Sequence, residues 1–353
     1  MSNIQTADIG LGQTILRRAA ISPDQRALTF EGATQTFAEL GDRVRRMAAV
    51  LRAGGISAGD RVGYIGLNHP VFLEMLYACG CLGAVFVPLN FRLTGSEVRF
   101  IANDAGISTM VADDMLRPLI DSERDNLQCT LYITAEADAD NWEPLEPLMA
   151  AATGLEASEK VDADDVAFIM YTSGTTGLPK GAMLTHGNIF WNSINVCFGE
   201  DGLSGTTLTC APLFHIGGLN VTTLLSLGKG VEVVLLRSFD AGEVLSLIEK
   251  HQVTTMFGAP TMFLMMVQHE SFASTDLSSI ATLTCGGAPV PVPLIKTYGE
   301  RGINFCQGYG LTETAPFASL LASDLAMVKV GSAGKAPMFT EVRIVDEQNN
   351  PVA

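Results

Sequence analysis

The amino-acid sequence predicts an α/β fold with two doubly wound α/β subdomains side by side. Short apolar runs of strand length alternate with segments of helix length, and the links between them are short. Glycine pairs follow several of the apolar runs at the point where a strand is expected to end. Such alternation is typical of parallel sheets covered by helices, in which ligands bind beyond the carboxyl ends of the strands.

The first part of the chain reads as a hairpin followed by alternating helices and strands. The runs 27–30 and 34–37 predict the hairpin, after which Thr36 is placed to cap a helix that ends at Gly54. Asn68 is expected to cap the next helix in the same way. The remaining predicted elements are strands at 61–65, 84–87 and 107–111 and helices at 72–79 and 96–103.

An acidic stretch, residues 135–165, has little periodicity and predicts a surface connection. Beyond it the alternation resumes, which predicts a first α/β subdomain at 1–160 and a second at 161–335. The elements expected there are helices at 187–196, 224–227 and 241–251 and strands at 208–211, 231–236 and 254–257.

Composition and charge exclude several classes of protein. The chain has 353 residues, 47% of them hydrophobic and 17% charged, which is typical of a well-packed globule rather than a disordered chain. A formal net charge of −16 argues against nucleic acid as a partner, because phosphate backbones are bound by clustered Lys and Arg.

The expected compartment is the cytoplasm. Seven cysteines are scattered without a C-x-x-C pair, the N-terminus lacks the pattern of a signal peptide, and glycine and proline interrupt the longest uncharged run, 75–91. We therefore expect no transmembrane segment.

The stretch Val166 to His186 carries the strongest chemical signal. An apolar run is followed by hydroxyl and glycine residues and then by Lys180, which predicts a strand, an anion-binding loop and a second strand. A P-loop of the Walker type is excluded, because Pro179 stands where its second glycine would be and Gly181 follows the lysine. From composition alone, a solvated hairpin is an equally good interpretation.

The order of residues in this loop, Y-T-S-G-T-T-G-L-P-K-G, closely resembles the phosphate-loop signature of the adenylate-forming, or AMP-binding, superfamily. That superfamily includes acyl-CoA synthetases, aryl-CoA ligases, nonribosomal adenylation domains and luciferases. Sixteen consecutive positions, Tyr171 to His186, fit the pattern. The resemblance implies that the loop grips the β- and γ-phosphates of ATP through Ser173, Gly174, Thr175, Thr176, Gly177 and Lys180.

Two later motifs resemble the same family. By themselves, T-L-T-C-G-G-A-P at 282–289 and Q-G-Y-G-L-T-E-T at 307–314 could be a turn and a strand-to-helix junction. The resemblance implies that Tyr309 stacks on adenine, Thr312 binds the α-phosphate, and Glu313 with Thr172 binds Mg²⁺. The other implied nucleotide contacts are Gly287, Ala288, Pro289, Gln307, Gly308 and Gly310.

The segment A-P-L-F-H-I-G-G-L at 211–219 includes His215, which alone would read as a buried core histidine. The resemblance implies that Phe214 and His215 border the acid substrate. Hydroxycinnamate ligases of the family usually carry a bulky aromatic residue two positions after this histidine, where this chain has Gly217 and then Gly218. The two glycines predict an open tunnel, and therefore a medium- to long-chain fatty acid, with ferulate or coumarate as the alternative.

The resemblance implies an acid–CoA ligase that uses ATP, Mg²⁺ and coenzyme A. Lys180, His215, Thr312 and Glu313 are the implied catalytic residues. The segment 330–337 also fits the family, so residues 336–353 are expected to begin a β-rich subdomain with a strand at 342–345. The family's C-terminal domain, with its catalytic lysine, has no counterpart, and we expect impaired activity.

Three further expectations remain open. The chain could form an acyl adenylate for a carrier protein instead of free coenzyme A, or it could bind nucleotide without catalysis. A homodimer is also possible.

Overall fold

The computed structural model describes residues 8–173, 177–199, 203–303 and 305–352. Strands and helices alternate along the chain, and this confirms the predicted α/β class. In chain order the elements are α1 (Leu11–Ile21), β1 (Arg26–Phe30), β2 (Ala33–Thr36), α2 (Phe37–Ala53), β3 (Arg61–Ile65), α3 (Pro70–Leu82), β4 (Val85–Leu89), α4 (Gly95–Ala105), β5 (Ile107–Ala112), α5 (Arg117–Glu123), β6 (Leu131–Thr134), β7 (Glu143–Pro144), α6 (Leu145–Ala151), β8 (Val166–Thr172), β9 (Lys180–Thr185), α7 (His186–Gly199), β10 (Thr206–Thr209), α8 (Ile216–Gly218), α9 (Leu224–Lys229), β11 (Glu232–Leu235), α10 (Ala241–His251), β12 (Thr255–Gly258), α11 (Pro260–Gln268), β13 (Thr282–Gly286), α12 (Val292–Gly299), β14 (Phe305–Gly310) and β15 (Phe317–Leu321).

Within the described ranges these strands form two sheets. The seven-stranded sheet has the order β7-β6-β5-β3-β4-β8-β9 and is parallel except for β9. The eight-stranded sheet has the order β15-β14-β13-β12-β10-β11-β1-β2 and is parallel except for its two end strands, β15 and β2.

The division of the strands between the two sheets does not follow the predicted subdomain boundary at residue 160. The N-terminal hairpin β1–β2 belongs to the eight-stranded sheet, where Leu28 lies opposite Val233 of β11. The hairpin β8–β9, which carries the phosphate loop, completes the seven-stranded sheet by pairing Phe168 with Phe86 of β4. Each of the segments 1–160 and 161–335 therefore contributes one hairpin to the sheet that is formed mainly by the other segment. Pairing between strands that are distant in the sequence decides which strands share a sheet.

Several local predictions are confirmed, and one helix cap is wrong. The Thr36 hydroxyl accepts the Glu39 N–H at 3.2 Å and caps α2 as expected. The cap of α3 is His69 rather than Asn68, because the His69 Nδ1 atom accepts the Val71 N–H at 3.2 Å. Pro70 then occupies the first turn, where its missing N–H costs nothing.

The acidic stretch 135–165 is more than a surface connection. It contains α6, whose Leu145 and Met149 are buried one helical turn apart in the same core cluster as α2. Near the end of the chain, residues 342–344 form no strand, and Val345 makes only an isolated antiparallel bridge with Pro351. The predicted strand at 342–345 is therefore reduced to that bridge.

One core cluster is shared by both sheets. It contains Leu28 and Val233 from the eight-stranded sheet and Phe86 and Phe168 from the seven-stranded sheet, together with buried residues of α1, α2 and α3. The N-terminal helix α1, which was not predicted, lies in this layer and donates two hydrogen bonds from the Arg18 guanidinium to the Gly228 carbonyl, at 2.9 and 3.1 Å. Among the described helices, none is long and apolar enough to cross a membrane.

The buried side chain of Asn68 joins the two sheets directly. Asn68 follows β3 of the seven-stranded sheet, and its amide nitrogen donates to the carbonyls of Ala211 at 3.1 Å and Leu236 at 3.0 Å. Its amide oxygen accepts the Leu213 N–H at 2.9 Å. These three partners follow β10 and β11 of the eight-stranded sheet, so one side chain fixes the start of the segment that carries His215.

We expect Asn68→Ala to lower the free energy of unfolding by about 2–4 kcal/mol, because it leaves three buried backbone groups without this partner. Urea denaturation of the parent and the variant measures the loss. Asn103→Ala is the matched control, since its two side-chain hydrogen bonds are exposed to solvent. Equal losses in the two variants would contradict the special role of Asn68.

Candidate active site

The phosphate loop joins two paired strands. Thr172 at the end of β8 lies opposite Lys180 at the start of β9, and the Tyr171 hydroxyl donates to Asp104 of α4 at 2.6 Å. Ser173 and Lys180 are exposed at the mouth of this hairpin, and Gly177 has a φ of +99°, in the region that favours glycine. Three of the predicted phosphate contacts, Gly174, Thr175 and Thr176, lie outside the described residues.

A cavity of about 350 Å³ brings three of the predicted motifs together. Thr172 and Ser173 of the phosphate hairpin, Phe214 and His215, and Thr312 of the third motif all line it. The remaining lining residues are Pro88, Leu89, Asn90, Leu93, Glu97, Ile101, Met170, Tyr171 and Pro179. The wall is thus largely apolar, and its polar groups are concentrated where the motifs meet, as in many small-molecule sites.

His215 faces this cavity and is not a buried core histidine. Its ring is accessible from the cavity and packs on Phe214 with centroids 4.3 Å apart, while Phe214 in turn contacts Phe91 edge-on at 5.3 Å. Desolvation by the surrounding protein, with a smaller contribution from Arg92, lowers the pKa of His215. The imidazole is therefore neutral at neutral pH and can donate or accept one hydrogen bond from each nitrogen without carrying charge.

A second cavity, of about 430 Å³, is formed by the ends of β13 and β14. Tyr309 is 55% exposed, so its ring face is free to stack, whereas a Cβ at Gly310 would lie 1.7 Å from the Pro316 carbonyl oxygen. The predicted base contacts Gly287, Ala288, Pro289, Gln307, Gly308, Tyr309 and Gly310 all line it, together with Cys285, Val290, Leu311, Gly331 and Ala333.

Gln307 gives this second cavity a polar recognition group. Its side chain is 6% exposed, and its Nε2 atom has no hydrogen-bond partner within the described residues. An unsatisfied buried donor is costly, which favours a ligand that accepts from it. A flat heteroaromatic base with acceptor nitrogens meets that requirement.

The turn Thr312–Thr314 carries the predicted metal ligand. Glu313 is exposed on this turn, and the Ala315 N–H closes it by donating to the Thr312 carbonyl at 3.2 Å. In the part of the chain that the structure describes, no group of three or more His, Cys, Asp or Glu residues could hold a metal ion. Mg²⁺ is commonly held by one or two carboxylates plus substrate phosphates, so the donors present fit a cation that arrives with ATP.

The predicted open tunnel at Gly217 and Gly218 is wrong. A Cβ at Gly217 would lie 2.7 Å from two ring atoms of Phe257, and one at Gly218 would lie 2.3 Å from the Pro212 carbonyl oxygen. Phe257 of β12 fills the space that the first glycine leaves, and the second glycine allows two backbone segments to approach closely. Neither glycine lines the cavities described above.

A further cavity of about 350 Å³ adjoins the first and shares His215 with it. No sequence motif predicts this cavity, because its lining comes from five separate segments. Two arginines, Arg92 and Arg237, stand in its wall beside Phe91 and Phe239. Arg237 already pairs with Glu31 at 2.7 Å and Glu136 at 2.9 Å, whereas Arg92 lies over the Phe91 ring at 5.0 Å.

Residues 15–353 match the AMP-binding enzyme family. The chain is 44% identical over 344 residues to a feruloyl-CoA synthase from Amycolatopsis sp, an alignment that covers 97% of this chain and 67% of the relative. It is also 36% identical over 343 residues to the long-chain-fatty-acid–CoA ligase FadD13 of Mycobacterium tuberculosis, covering 95% of this chain and 66% of that one.

The fold has similar solved structures. The inhibitor-bound N-terminal domain of FACL13 from Mycobacterium tuberculosis superposes with a TM-score of 0.91 at 34% identity, covering 97% of this chain and 86% of that chain. The match over almost the whole sequence confirms the resemblance by which the four motifs were interpreted. The chain therefore belongs to the AMP-binding enzyme family and is an AMP-forming acid–CoA ligase.

Proposed function

We propose that this ligase activates an aryl acid, a hydroxycinnamate such as ferulate or coumarate. The observation that carries the proposal is the aromatic wall of the first cavity, where the His215 ring packs on Phe214 with centroids 4.3 Å apart, while the Phe257 ring fills the space beside Gly217. An aromatic wall at this place favours a flat acid over a flexible chain. The 44% identity to a feruloyl-CoA synthase supports the same substrate class.

The sequence alone favours a medium- to long-chain fatty acid as the substrate. That preference depended on an open passage at Gly217 and Gly218, which the Phe257 ring and the Pro212 carbonyl close. The 36% identity to a long-chain-fatty-acid–CoA ligase keeps this acid class as the second candidate.

The first step needs positioning groups rather than a protein nucleophile. A carboxylate oxygen of the acid attacks the α-phosphorus of ATP, the bond to the bridging oxygen breaks, and pyrophosphate leaves. We assign Lys180 and Ser173 to the β- and γ-phosphates, Thr312 to the α-phosphate and the Tyr309 ring to the base. A neutral His215 would orient the carboxylate by a hydrogen bond without trapping it in an ion pair.

Magnesium would be bound by Glu313 and Thr172 together with the phosphates, and it would neutralise charge on the leaving pyrophosphate. The exposed position of Glu313 suits a ligand that binds and leaves with each nucleotide.

In the second step the thiol of coenzyme A attacks the acyl carbonyl, a thioester forms, and AMP leaves with the electron pair of the broken anhydride bond. We assign the approach of coenzyme A to the cavity that contains Arg92 and shares His215 with the acid site. Its apolar wall suits the pantetheine arm, and Arg92 suits a phosphate group.

Two assays separate the alternatives. Exchange of labelled pyrophosphate into ATP, screened over C2 to C18 acids with ferulate and coumarate, distinguishes an enzyme from a module that only binds nucleotide. Product analysis with coenzyme A against a carrier protein identifies the acceptor. Exchange that is fastest with a long-chain acid would overturn the aryl proposal.

We predict that Lys180→Ala weakens the binding of MgATP by roughly tenfold, about 1.4 kcal/mol, because it removes the cation at the mouth of the phosphate hairpin. Calorimetry measures the dissociation constant. Lys180 is exposed, so the thermal midpoint should stay unchanged. Lys160→Ala, at another exposed lysine, is the control, and equal affinity of both variants for MgATP would contradict the phosphate role.

We predict that Glu313→Gln makes nucleotide binding independent of Mg²⁺, since the variant keeps the shape of the side chain but loses the charge that a hard cation requires. The measurement is the affinity for ATP over a series of Mg²⁺ concentrations. Glu341→Gln changes a second exposed carboxylate and should leave the titration unaltered. Superimposable titrations of Glu313→Gln and the parent would exclude Glu313 as the ligand.

We predict that Phe257→Ala raises the rate of adenylation of a C8 or C10 acid relative to ferulate by about tenfold, because it vacates the space beside Gly217. Pyrophosphate exchange with each acid gives the ratio. Phe257→Leu keeps most of the side-chain volume and should give an intermediate ratio. A uniform loss over all acids in Phe257→Ala would mean that the ring supports the fold instead of selecting the acid.

A further inference from the structure

Asn220 lies in the helical run that follows His215. Between α8 and α9 the hydrogen bonding of this run takes the π pattern, from Leu219 to Thr223. π-turns are rare and occur frequently at functional sites. Asn220 is completely buried in this turn, with 0% of its surface exposed. A polar amide at such a position must be held by specific partners.

The partners of Asn220 belong to two other parts of the active site. Its side-chain nitrogen donates a short hydrogen bond to the Ala315 carbonyl. Its backbone carbonyl accepts a hydrogen bond of 2.9 Å from the side chain of Asn192, on the helix α7 that follows the phosphate hairpin. Asn220 therefore connects the phosphate hairpin, the His215 segment and the chain just after Glu313.

The Ala315 peptide closes the turn that carries Thr312 and Glu313. Its N–H donates to the Thr312 carbonyl at 3.2 Å, and Ala315 itself is buried with a φ of +64°. A residue other than glycine persists in the left-handed region only where its surroundings hold it there. The hydrogen bond from Asn220 is a contact that holds the Ala315 carbonyl.

The oxygen of the Asn220 side-chain amide shows that a contribution to folding stability does not explain why asparagine occupies this position. The Oδ1 atom is buried and has no hydrogen-bond partner in the described ranges, which is unfavourable for folding. Leucine has a similar volume and would avoid this cost. What asparagine adds is the N–H directed at Ala315.

We propose that Asn220 is a positioning residue, which through the Ala315 carbonyl orients the turn of Thr312 and Glu313 toward the α-phosphate and the magnesium ion of bound ATP. The inference rests on the proposed function, because it requires Glu313 to be a ligand of that ion. Asn220 itself lines none of the cavities described above and does not touch the substrate.

The test is the Mg²⁺ dependence of ATP binding by the 353-residue chain, measured by calorimetry with the thermal midpoint of each variant. Asn220→Leu should raise the Mg²⁺ concentration for half-maximal enhancement by about tenfold. Its affinity for ATP without Mg²⁺ should stay within about twofold of the parent, because the base contacts and the contacts of Lys180 and Ser173 do not depend on this turn and only the Thr312 contact does. Asn220→Asp, which also lacks the donated N–H, should shift the Mg²⁺ titration in the same direction. If Asn220→Leu fails to fold, the titration of Asn220→Asp is the test of the positioning role.

Asn192→Leu is the matched control, a buried asparagine that reaches the same turn but makes no hydrogen bond to Ala315. Its Mg²⁺ titration should follow that of the parent. If the titration of the folded Asn220 variant also overlays that of the parent, the positioning role is overturned while the proposed function stands. A parent chain that binds ATP without any dependence on Mg²⁺ would overturn both.

Discussion

Hydrogen bonding by the Asn68 side chain across the two sheets is the constraint on which the acid site depends. The family motifs come from both sheets, with the phosphate hairpin on one and the His215 and Thr312 segments on the other. Asn68 bonds to Ala211 and Leu213, which immediately precede Phe214 and His215. The position of His215 relative to the phosphate hairpin is thus held by buried hydrogen bonds of Asn68, a residue that also lines the cavity containing Arg92.

The site binds anions within an acidic protein. With a formal net charge of −16, the overall field opposes ATP and coenzyme A, so affinity must come from groups within a few ångströms of the phosphates. In the proposed function, Lys180, backbone N–H groups, hydroxyls and Mg²⁺ supply these local contacts. The same acidity disfavours binding of other polyanions on the rest of the surface, which separates nucleotide substrates from nucleic acid.

The local signals in the sequence were sufficient for the fold class, most elements and the four motifs. The cap at Thr36 was predictable because its partner, Glu39, is only three residues away in the sequence. The motif residues line common cavities because each motif lies at or just after the end of a strand. Asn68 resembles a cap because it directly precedes a predicted helix. Its side-chain partners, Ala211, Leu213 and Leu236, are instead 143, 145 and 168 residues away in the sequence.

Gly217 shows the same limit at the site itself. From the sequence, a glycine without a side chain predicts empty space beside the backbone. The Phe257 ring that fills this space comes from a strand about forty residues later, and a periodicity argument does not detect a contact over that separation. Asn220 and the left-handed conformation of Ala315 were invisible for a similar reason. Their importance lies in a contact between two segments, each of which looks ordinary alone.

The exchange of hairpins between the sheets has a consequence for synthesis on the ribosome. The strands of the seven-stranded sheet all lie in one continuous stretch, from β3 to β9, so that sheet can form as soon as this stretch emerges. The hairpin β1–β2 emerges earlier but must wait for β11, as the bond between Thr29 and Glu232, 203 residues apart, illustrates. At a typical elongation rate this delay is roughly 10–40 s. During that time the apolar side chains of β1, such as Leu28, lack the strand against which they are buried in the folded protein.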